Sequence, residues 1–339
     1  MLKSSKKYIL GIETTAHTFG VGIVEFGSRK ILANIKDSYT TESGGIIPIH
    51  AAKHHKEVVE RVYREALEKA RISESEILTV AVSNAPGLAP CLVEGMRFAK
   101  NLAKKLNIPI IPVNHCIAHL EIGALTGAKN PVLLYASGAN TQIIAYAEGK
   151  YRVFGETLDV GIGNFIDTFA RHAGIGFPGG PIIDKLSQES SREYIELPYT
   201  IKGMDVAFSG MLTNLKQKLD SKKYDLKNLA YSLQETAFAM LVEASERALA
   251  HVGKSELLLG GGVACNKRLQ EMCKIMCEER EAKFFVPENQ FLVDNAAMIA
   301  FTGEIMYKAM KKKKIPFQKI ENIDINPRQR TDQVEVFWK

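Results

Sequence analysis

Residues 131–147 have the sequence Pro-Val-Leu-Leu-Tyr-Ala-Ser-Gly-Ala-Asn-Thr-Gln-Ile-Ile-Ala-Tyr-Ala. Within them, an apolar run from Val132 to Ala136 meets a turn of small residues that ends at Thr141, and a second apolar run follows. Strand-forming residues on both sides of a Gly and an Asn predict a β-hairpin. The backbone N–H groups of such a turn could face an anion.

The beginning of the chain repeats this design. A strand-like run, Ile9 to Ile12, meets a polar turn, Glu13 to Thr18, and a second apolar run, Gly20 to Val24, returns. Each hairpin opens a stretch of alternating strand and helix patterns, which is typical of an α/β fold. We therefore expect two related lobes whose turns could hold a phosphate chain between them. The alternative is a pair of ordinary hairpins.

Apolar periodicity predicts the main elements outside the hairpins. Helical spacing predicts helices over 50–71, 228–251 and 294–310. Short buried runs predict strands over 77–82 and 256–259. These strands and helices alternate, as the α/β class requires.

Composition restricts the class of protein. With 339 residues, 46% of them hydrophobic and 24% charged, the chain has the composition of a soluble globular protein that can build two cores. A formal net charge of +6 permits a polyanionic partner without requiring one. No segment reaches the length of a membrane span. The five scattered cysteines predict a reducing compartment, the cytoplasm, instead of a disulfide framework.

Two histidines one helical turn apart suggest a metal site. His115 and His119, in His-Cys-Ile-Ala-His, would lie on one face of a helix, about 6 Å apart. Asp294 is our candidate for a third ligand, because two imidazoles with one carboxylate suit Fe(II) or Zn(II). Cys116 stands where a His-Glu-x-x-His metalloprotease needs its general base. The alternatives are a chance histidine pair and an aspartate that only caps a helix.

The glycines within residues 257–266 suggest a nucleotide site. Leu-Leu-Leu-Gly-Gly-Gly-Val-Ala-Cys-Asn predicts a strand that leads through three glycines into a helix. Glycines there let a nucleotide approach the backbone at the positive end of a helix, although a tight strand-to-helix turn uses the same residues. The chain has no P-loop motif. The Gly-x-Gly-x-x-Gly at 174–179 follows a helix and contains Pro178, so we reject a Rossmann motif.

Two aspartates are candidates for nucleotide contacts. Pro178-Gly-Gly-Pro181 is typical of a rigid loop that opens a helix, and Asp184 lies at the start of that helix. Its carboxylate could take two ribose hydroxyls. Asp167 lies on another helix, whose opposite face is apolar. Each aspartate could equally be a surface residue.

Nine motifs in order along nearly the whole chain resemble one family. The motifs are Gly11–Ile23, Pro86–Pro90, Asn114–Glu121, Leu134–Gln142, Phe177–Pro181, Lys202–Gly210, Ser232–Glu235, Gly260–Asn266 and Arg330–Val336. They resemble the universal tRNA threonylcarbamoyladenosine transferase family, in its archaeal and eukaryotic branch, which is the catalytic subunit of the KEOPS complex. Each motif alone is weak, but the ordered set is specific.

The resemblance implies a fold and a reaction. The fold is actin/Hsp70/sugar-kinase-like (ASKHA), with two RNase H-like lobes around a nucleotide cleft. Residues 1–130 would form the N-terminal lobe, completed by 300–339, and residues 131–299 the C-terminal lobe. In the reaction, threonylcarbamoyl-adenylate made by another enzyme donates its threonylcarbamoyl group to N6 of adenosine 37 in tRNAs that read codons beginning with A.

The resemblance also implies a metal site. One divalent ion would be held by His115, His119, Tyr135 and Asp294. Fe(II) is the first choice, with Zn(II) and Mg(II) as alternatives. Glu13, in the first turn, could assist proton removal from the amine or orient the site electrostatically.

Adenine nucleotides, threonylcarbamoyl-AMP and ATP, are implied as ligands. The phosphate and carbamoyl end would contact Tyr135, Ala136, Ser137, Gly138 and Ala139. The ribose would lie against Asp167, Gly180 and Asp184, and the nucleotide against Asn266.

Implied partners are tRNA and KEOPS subunits, including a small atypical protein kinase and a small dimerising subunit. Some relatives continue into a fused kinase domain, so we expect the kinase on a separate polypeptide here. The chain departs from the family pattern at three positions. Thr14 and Ala139 stand where relatives usually have Gly, and His50 stands where an acid is expected.

Two other functions compete with this interpretation. One is a small-molecule kinase or carbamoyltransferase of the same fold without a tRNA substrate. The other is a non-catalytic scaffold that binds nucleic acid. Metalloprotease activity is disfavoured by Cys116.

Overall fold

Two five-stranded sheets carry the fold of residues 7–41 and 45–339, the part of the chain that this computed structural model describes. The strands are β1 (Tyr8–Glu13), β2 (Thr18–Glu25), β3 (Ile31–Ser38), β4 (Ile77–Ala85), β5 (Ile110–Asn114), β6 (Val132–Ala136), β7 (Thr141–Ala147), β8 (Lys150–Glu156), β9 (Ile201–Lys202), β10 (Asp205–Val206), β11 (Glu256–Gly260) and β12 (Lys283–Phe285). The helices are α1 (Pro48–Ala70), α2 (Ala89–Leu106), α3 (His115–Glu121), α4 (Ile162–His172), α5 (Gly180–Gln188), α6 (Ser209–Asp220), α7 (Leu226–Val252), α8 (Lys267–Glu279), α9 (Asn289–Leu292) and α10 (Ala296–Lys313).

The two large sheets have the same topology. Their strand orders are β3-β2-β1-β4-β5 and β12-β11-β6-β7-β8. In each, three consecutive strands pair antiparallel, and two later strands extend the sheet in parallel from the first of them. Strands joined by a hairpin pair antiparallel, whereas strands that return after a helix pair in parallel. The predicted hairpins, the α/β class and the internal duplication are confirmed.

Each sheet belongs to one of two units. The first unit comprises the described residues of Met1–Tyr39, Ile46–Ile122 and Asp294–Lys339, and the second those of Thr40–Gly45 and Gly123–Val293. Among the described residues, no helix combines the length and the apolar character needed to cross a bilayer.

Helices cover both faces of the first sheet. Successive side chains of each strand point to opposite faces, so each face packs against its own helices. Leu10 of β1 packs into a core with Val62 of α1 and Met96 of α2. Gly22 of β2 points to the other face, where a Cβ would lie 2.5 Å from the backbone nitrogen of Ala297. Helix α10 therefore approaches the sheet at a distance that only glycine allows.

Thr14 fits into the first unit because a glycine faces it. Its side chain is fully buried, and its backbone N–H donates to Ser83 Oγ at 3.0 Å. A Cβ on Gly95 of α2 would lie 2.1 Å from Thr14 Oγ1. The larger residue at position 14 is thus accommodated by a missing side chain on the neighbouring helix.

The core of the second unit is built around α7. The predicted apolar stripe of this helix, including Leu233 and Leu241, is buried against Leu134 of β6 and Phe165 of α4. The unit also contains a short hairpin, β9–β10, that the periodicity did not indicate because its strands have two residues each.

Asp159 holds the start of α6 in the second unit. Its carboxylate accepts the backbone N–H groups of Phe208 at 2.9 Å, Ser209 at 2.8 Å and Val160 at 2.6 Å. Burial alone would raise the pKa of Asp159, but these N–H groups lower it below its ordinary value. A carboxyl with a depressed folded-state pKa stabilises the fold above the unfolded-state value of about 3.9, and this contribution is lost as the pH falls through the folded-state pKa.

We expect Asp159→Asn to lower the free energy of unfolding at pH 7 by up to about 1 kcal/mol, a small effect because the carboxylate is exposed. The difference from the parent chain should begin to shrink as the pH falls below about 4, where the carboxyl of the unfolded chain is protonated, and should disappear below the folded-state pKa. Chemical denaturation from pH 7 to pH 3 measures it. Asp225→Asn is the control, because Asp225 makes no side-chain bond to the start of α7. A constant difference between the two variants across this range would contradict the prediction.

Candidate active site

The two histidines lie on the short helix α3, whose start is fixed by Asn114. Asn114 Oδ1 accepts the backbone N–H groups of Cys116 at 3.1 Å and Ile117 at 3.3 Å, as a helix-capping side chain does. The spacing of four residues places both imidazoles on one face, with ring centroids 4.8 Å apart. Both rings are buried, with 4% of His115 and 1% of His119 exposed.

Asp294 lies beside both imidazoles. Its Oδ1 is 3.2 Å from His115 Nε2 and 3.7 Å from His119 Nε2. One ligand atom from each of the three residues lies within 4.8 Å of the others. Asn295, not Asp294, caps α10, through a hydrogen bond from the Met298 N–H to Asn295 Oδ1 at 3.0 Å. The structure therefore gives Asp294 no helix-capping role.

Glu13 supports His115 from the opposite side. Glu13 is fully buried at the end of β1, and its Oε2 is 2.9 Å from His115 Nδ1. Its Oε1 accepts the N–H of Thr15 at 2.7 Å. A carboxylate at Nδ1 fixes the orientation of the ring, and Nε2 is the nitrogen that faces Asp294.

The charge states of the cluster suit a metal. Burial lowers the pKa of His119 below its ordinary value, which favours the neutral ring, whose one unprotonated nitrogen can coordinate a metal. Although burial alone would raise the pKa of Asp294, the charge and hydrogen bond of His115 lower it well below its usual range. Burial raises the pKa of Cys116 to about 11, so the thiol between the histidines is protonated and is a poor ligand.

This donor set fits a divalent transition metal. Two imidazoles and one carboxylate, with one imidazole held by an outer carboxylate, are the groups that Fe(II) and Zn(II) prefer. Tyr135, the fourth predicted ligand, lies on β6 of the second unit, and 1% of it is exposed. Its role as a ligand stays a prediction.

The turn after β6 presents two backbone N–H groups in one direction. The carbonyls of Ser137 and Gly138 accept the N–H groups of Gly163 at 3.0 Å and Asn164 at 2.9 Å, at the start of α4. In a trans peptide, the N–H of a residue points opposite to the carbonyl before it. The N–H groups of Gly138 and Ala139 therefore point away from α4, an arrangement that can bind an anion.

The conformation of this turn does not require a glycine at position 139. Neither Gly138 nor Ala139 has a positive φ, so a Cβ at position 139 causes no backbone strain. Ala139 is also exposed. The departure from the usual Gly is therefore compatible with the same turn.

Asp184 and Asn266 of the second unit lie together. Asn266 Nδ2 donates to Asp184 Oδ1 at 3.0 Å, and Gln234 Nε2 of α7 donates to the same oxygen at 3.4 Å. Asn266 also caps α8, because its Oδ1 accepts the N–H groups of Arg268 and Leu269. Both predicted residues are half-buried, so a ligand can reach them.

Asp167 and Gly180 are connected to the same region through the loop before α5. Asp167 Oδ1 accepts the N–H of Gly179 at 2.8 Å, next to Gly180, where α5 begins. Asp184 is the fifth residue of this helix. The structure thus links the four predicted ribose and nucleotide residues through α5 and its loop.

The three glycines after β11 have a packing role at Gly261. Its φ is +91°, and a Cβ there would lie 2.3 Å from the carbonyl oxygen of Ala136. The helix predicted after the three glycines begins at Lys267, because Gly262–Cys265 form a 3-10 turn. Gly261 therefore lets the end of β11 lie directly against the end of β6.

The sequence did not predict several contacts around these residues. Trp338 Nε1 donates to Glu121 Oε1 at 2.8 Å, and Lys339 Nζ donates to Glu121 Oε2 at 3.1 Å, at the end of α3. Gln234 lies in the motif Ser232–Glu235, and Trp338 is the single tryptophan of the chain. Membership in a motif singled out Gln234, and rarity singled out Trp338. Neither property indicates which residue the side chain contacts.

We expect Gly163→Ala to weaken adenine nucleotide binding about tenfold or more. A Cβ at Gly163 would lie 2.7 Å from Gly138 Cα, so the 137–139 turn must move. Isothermal titration of the nucleotide measures the effect. Gly210→Ala is a matched control in the first turn of α6, where a Cβ meets nothing within 4 Å. Equal affinities for the two variants would contradict an anion-binding role for the turn.

Solved structures define the class of fold. HypF of T. kodakarensis aligns with a TM-score of 0.61 at 11% identity, over 91% of this chain and 48% of that one. The activator of the 2-hydroxyisocaproyl-CoA dehydratase from Clostridium difficile aligns with a TM-score of 0.55 at 11% identity, over 92% of this chain and 99% of that one. At this identity the likeness concerns the fold alone. The chain has the actin/Hsp70/sugar-kinase-like fold that its motifs implied.

Sequence comparison defines the family. The family model described as tRNA N6-adenosine threonylcarbamoyltransferase matches residues 30–301. The protein of that name from Thermococcus kodakarensis is 54% identical over 97% of this chain and 99% of its own length. A probable bifunctional tRNA threonylcarbamoyladenosine biosynthesis protein from Methanosarcina mazei is 50% identical over 98% of this chain and 60% of its own length. The chain belongs to the tRNA N6-adenosine threonylcarbamoyltransferase family.

Proposed function

We propose that this chain transfers the threonylcarbamoyl group of threonylcarbamoyl-adenylate to N6 of adenosine 37 in tRNAs that read codons beginning with A. Family membership supports the reaction class. The observation that carries the site is the convergence of His115, His119 and Asp294, three ligand atoms within 4.8 Å contributed by segments far apart in sequence.

The metal would be a divalent ion held by His115, His119 and Asp294, with Tyr135 as the proposed fourth ligand. When bound, it would neutralise charge on the phosphate of the donor as the mixed anhydride is cleaved. Two imidazoles favour Fe(II) or Zn(II) over Mg(II), which prefers oxygen ligands.

The reaction depends on the correct placement of a weak nucleophile more than on covalent catalysis by a protein side chain. The N6 lone pair attacks the carbamoyl carbon, a C–N bond forms, and the bond from that carbon to the phosphate oxygen breaks. AMP leaves with the electron pair, and N6 loses a proton. Holding both reactants in register can supply much of the rate enhancement of such a transfer.

The residues of the second unit would hold the donor. The N–H groups of Gly138 and Ala139 would donate to its phosphate, flanked by Ala136 and Ser137. Asp184 would accept ribose hydroxyls, because its carboxylate is already oriented by Asn266. Asp167 and Gly180 would position the loop beside it.

Glu13 has two proposed roles, proton acceptor and orienting group, and its contacts favour the second. Both carboxylate oxygens are engaged, one with His115 Nδ1 and one with the Thr15 N–H. An acceptor for the amine proton would need an oxygen directed at the substrate. We therefore propose that Glu13 orients His115.

We propose tRNA and the other KEOPS subunits, among them a small atypical protein kinase and a small dimerising subunit, as partners in the cytoplasm. The length of the bifunctional relative supports a partner domain, since the match covers 60% of that protein. The net charge of +6 is compatible with a polyanionic substrate.

A reconstituted transfer assay tests the proposal. Unmodified tRNA, threonine, bicarbonate, ATP and the adenylate-forming enzyme are incubated with and without this chain, and nucleosides are separated by mass. We expect the threonylcarbamoylated nucleoside only when the chain is present. Its formation without the chain would refute the assignment. Phosphorylation or carbamoylation of a small molecule without tRNA modification would favour a kinase or carbamoyltransferase, and tRNA binding without transfer would favour a scaffold.

A further inference from the structure

The last turn of α10 carries a surface that the proposed site does not use. Lys311, Lys312, Lys313 and Lys314 are consecutive and exposed. No carboxylate lies within 4 Å of their ammonium nitrogens among residues 7–41 and 45–339. We call these four residues the lysine patch.

The lysine patch is denser than a helix end requires. One or two cations in the last turn are enough to interact with the carbonyl end of the helix dipole, which is worth about 0.3–1 kcal/mol each. Lys308 and Lys312 form a like-charged pair four residues apart on this helix, which costs about 0.2–0.5 kcal/mol. The helix end therefore does not account for all four lysines, and the exposed cations remain available to an anionic partner.

An aromatic pair holds one side of the patch. Lys311 Nζ lies 5.5 Å from the ring centroid of Tyr307 and 5.2 Å from that of Phe317, and the two rings stack with centroids 5.3 Å apart. Because Lys311 is fixed on these rings, the turn that bears Lys312, Lys313 and Lys314 is anchored to the body of the unit.

Helix α10 connects this patch to the candidate metal centre within the first unit. Asp294 lies two residues before the helix starts, and the patch lies at its end. At about 1.5 Å per residue, the two are about 25 Å apart. A folded RNA whose reactive base lies near Asp294 is large enough to place backbone phosphates at the other end of the helix.

We propose that the lysine patch is a docking surface for the phosphate backbone of the tRNA substrate, remote from the base that reacts. This inference rests on the proposed function. Contacts of lysine with phosphate are independent of base sequence and release counterions, so they contribute affinity and a steep salt dependence. The patch should therefore act on substrate affinity and leave the chemical step unchanged.

The test is the triple variant Lys312→Ala/Lys313→Ala/Lys314→Ala, which keeps Lys311 on its rings. Binding of an unmodified tRNA transcript is measured by fluorescence anisotropy at several salt concentrations, with the same preparation that performs transfer. We expect Kd to rise about tenfold to a hundredfold at 0.15 M salt, and the slope of log Kd against log salt to fall by about 2. The kcat at saturating tRNA and the affinity for adenine nucleotide should be unchanged.

The matched control is Lys100→Ala/Lys104→Ala/Lys105→Ala, which removes the same charge from the end of another helix of the first unit. Lys104 and Lys105 pair with Glu321 at 3.8 Å and Glu74 at 2.7 Å. We expect this control to change Kd less than threefold. Equal losses for both triple variants, or no loss for either, would overturn the inference.

Two further outcomes separate this inference from the proposed function. A patch variant that binds tRNA normally but loses a protein partner would assign the patch to an acidic protein surface and overturn the inference. If the parent chain, without substitutions, binds tRNA but forms no threonylcarbamoylated nucleoside, the proposed function is refuted. That result would not contradict the role of the lysine patch in tRNA binding.

Discussion

The variant His115→Ala/His119→Ala should lose tRNA threonylcarbamoylation by at least about a thousandfold and lose its divalent metal. Two of the three clustered ligands are removed, and Asp294, even with the proposed ligand Tyr135, lacks the imidazoles that favour a transition ion at this site. The electrostatic stabilisation that a bound ion supplies at a departing phosphate would disappear with it.

Metal content by mass spectrometry and the transfer assay measure this loss, and circular dichroism verifies that the variant is folded. The control is His172→Ala, which removes a histidine that also pairs with an aspartate, Asp220, at 2.8 Å. His172 is exposed in the second unit and is not one of the clustered ligands, so its loss should leave activity within about twofold. Full activity in a metal-free double variant would show that the cluster is not used in the reaction.

The variant Gly22→Ala should destabilise the first unit by about 3 kcal/mol and weaken metal binding. A Cβ there would lie 2.5 Å from the backbone of Ala296 and Ala297, which cannot yield as a flexible side chain does. The strand cannot retreat, because its other face is packed on α1 and α2. Helix α10 must therefore move, and Asp294 immediately before it moves with it.

Thermal unfolding and metal titration measure the two effects of Gly22→Ala. The matched control is Gly20→Ala on the same strand and face, where the nearest atom to the new Cβ is the side-chain Cβ of Ala296 at 3.3 Å. We expect this variant to lose less than about 1 kcal/mol and to keep its metal affinity. A melting temperature of Gly22→Ala equal to that of the parent chain would contradict this prediction, because α10 could then move without a loss of stability.

Much of the architecture follows from local pattern. The strand-turn-strand patterns at 8–25 and 132–147 and the helical spacing at 48–70 depend on neighbours within one or two turns, so the chain itself predicts them. Element ends were less well predicted. Helix α10 begins at Ala296, two residues later than predicted, because the Asn295 side chain caps it.

The candidate metal centre was partly predictable. The spacing of His115 and His119 sets their common face, since α-helix geometry repeats every 3.6 residues. Asp294 was proposed from its chemistry, but its distance of 3.2 Å from His115 depends on how α10 lies against the sheet. That position depends in turn on Gly22, whose role no local pattern indicated.

Hairpins, long helices, the pairing of the two histidines and the family motifs are properties of residues close together in the chain, and the amino-acid order is sufficient to predict them. The contact of Glu13 with His115, the link of Gln234 to Asp184 and the direction of the N–H groups of Gly138 and Ala139 come from packing between distant segments. Such contacts depend on the tertiary packing of many residues from distant segments, so no single stretch of sequence predicts them.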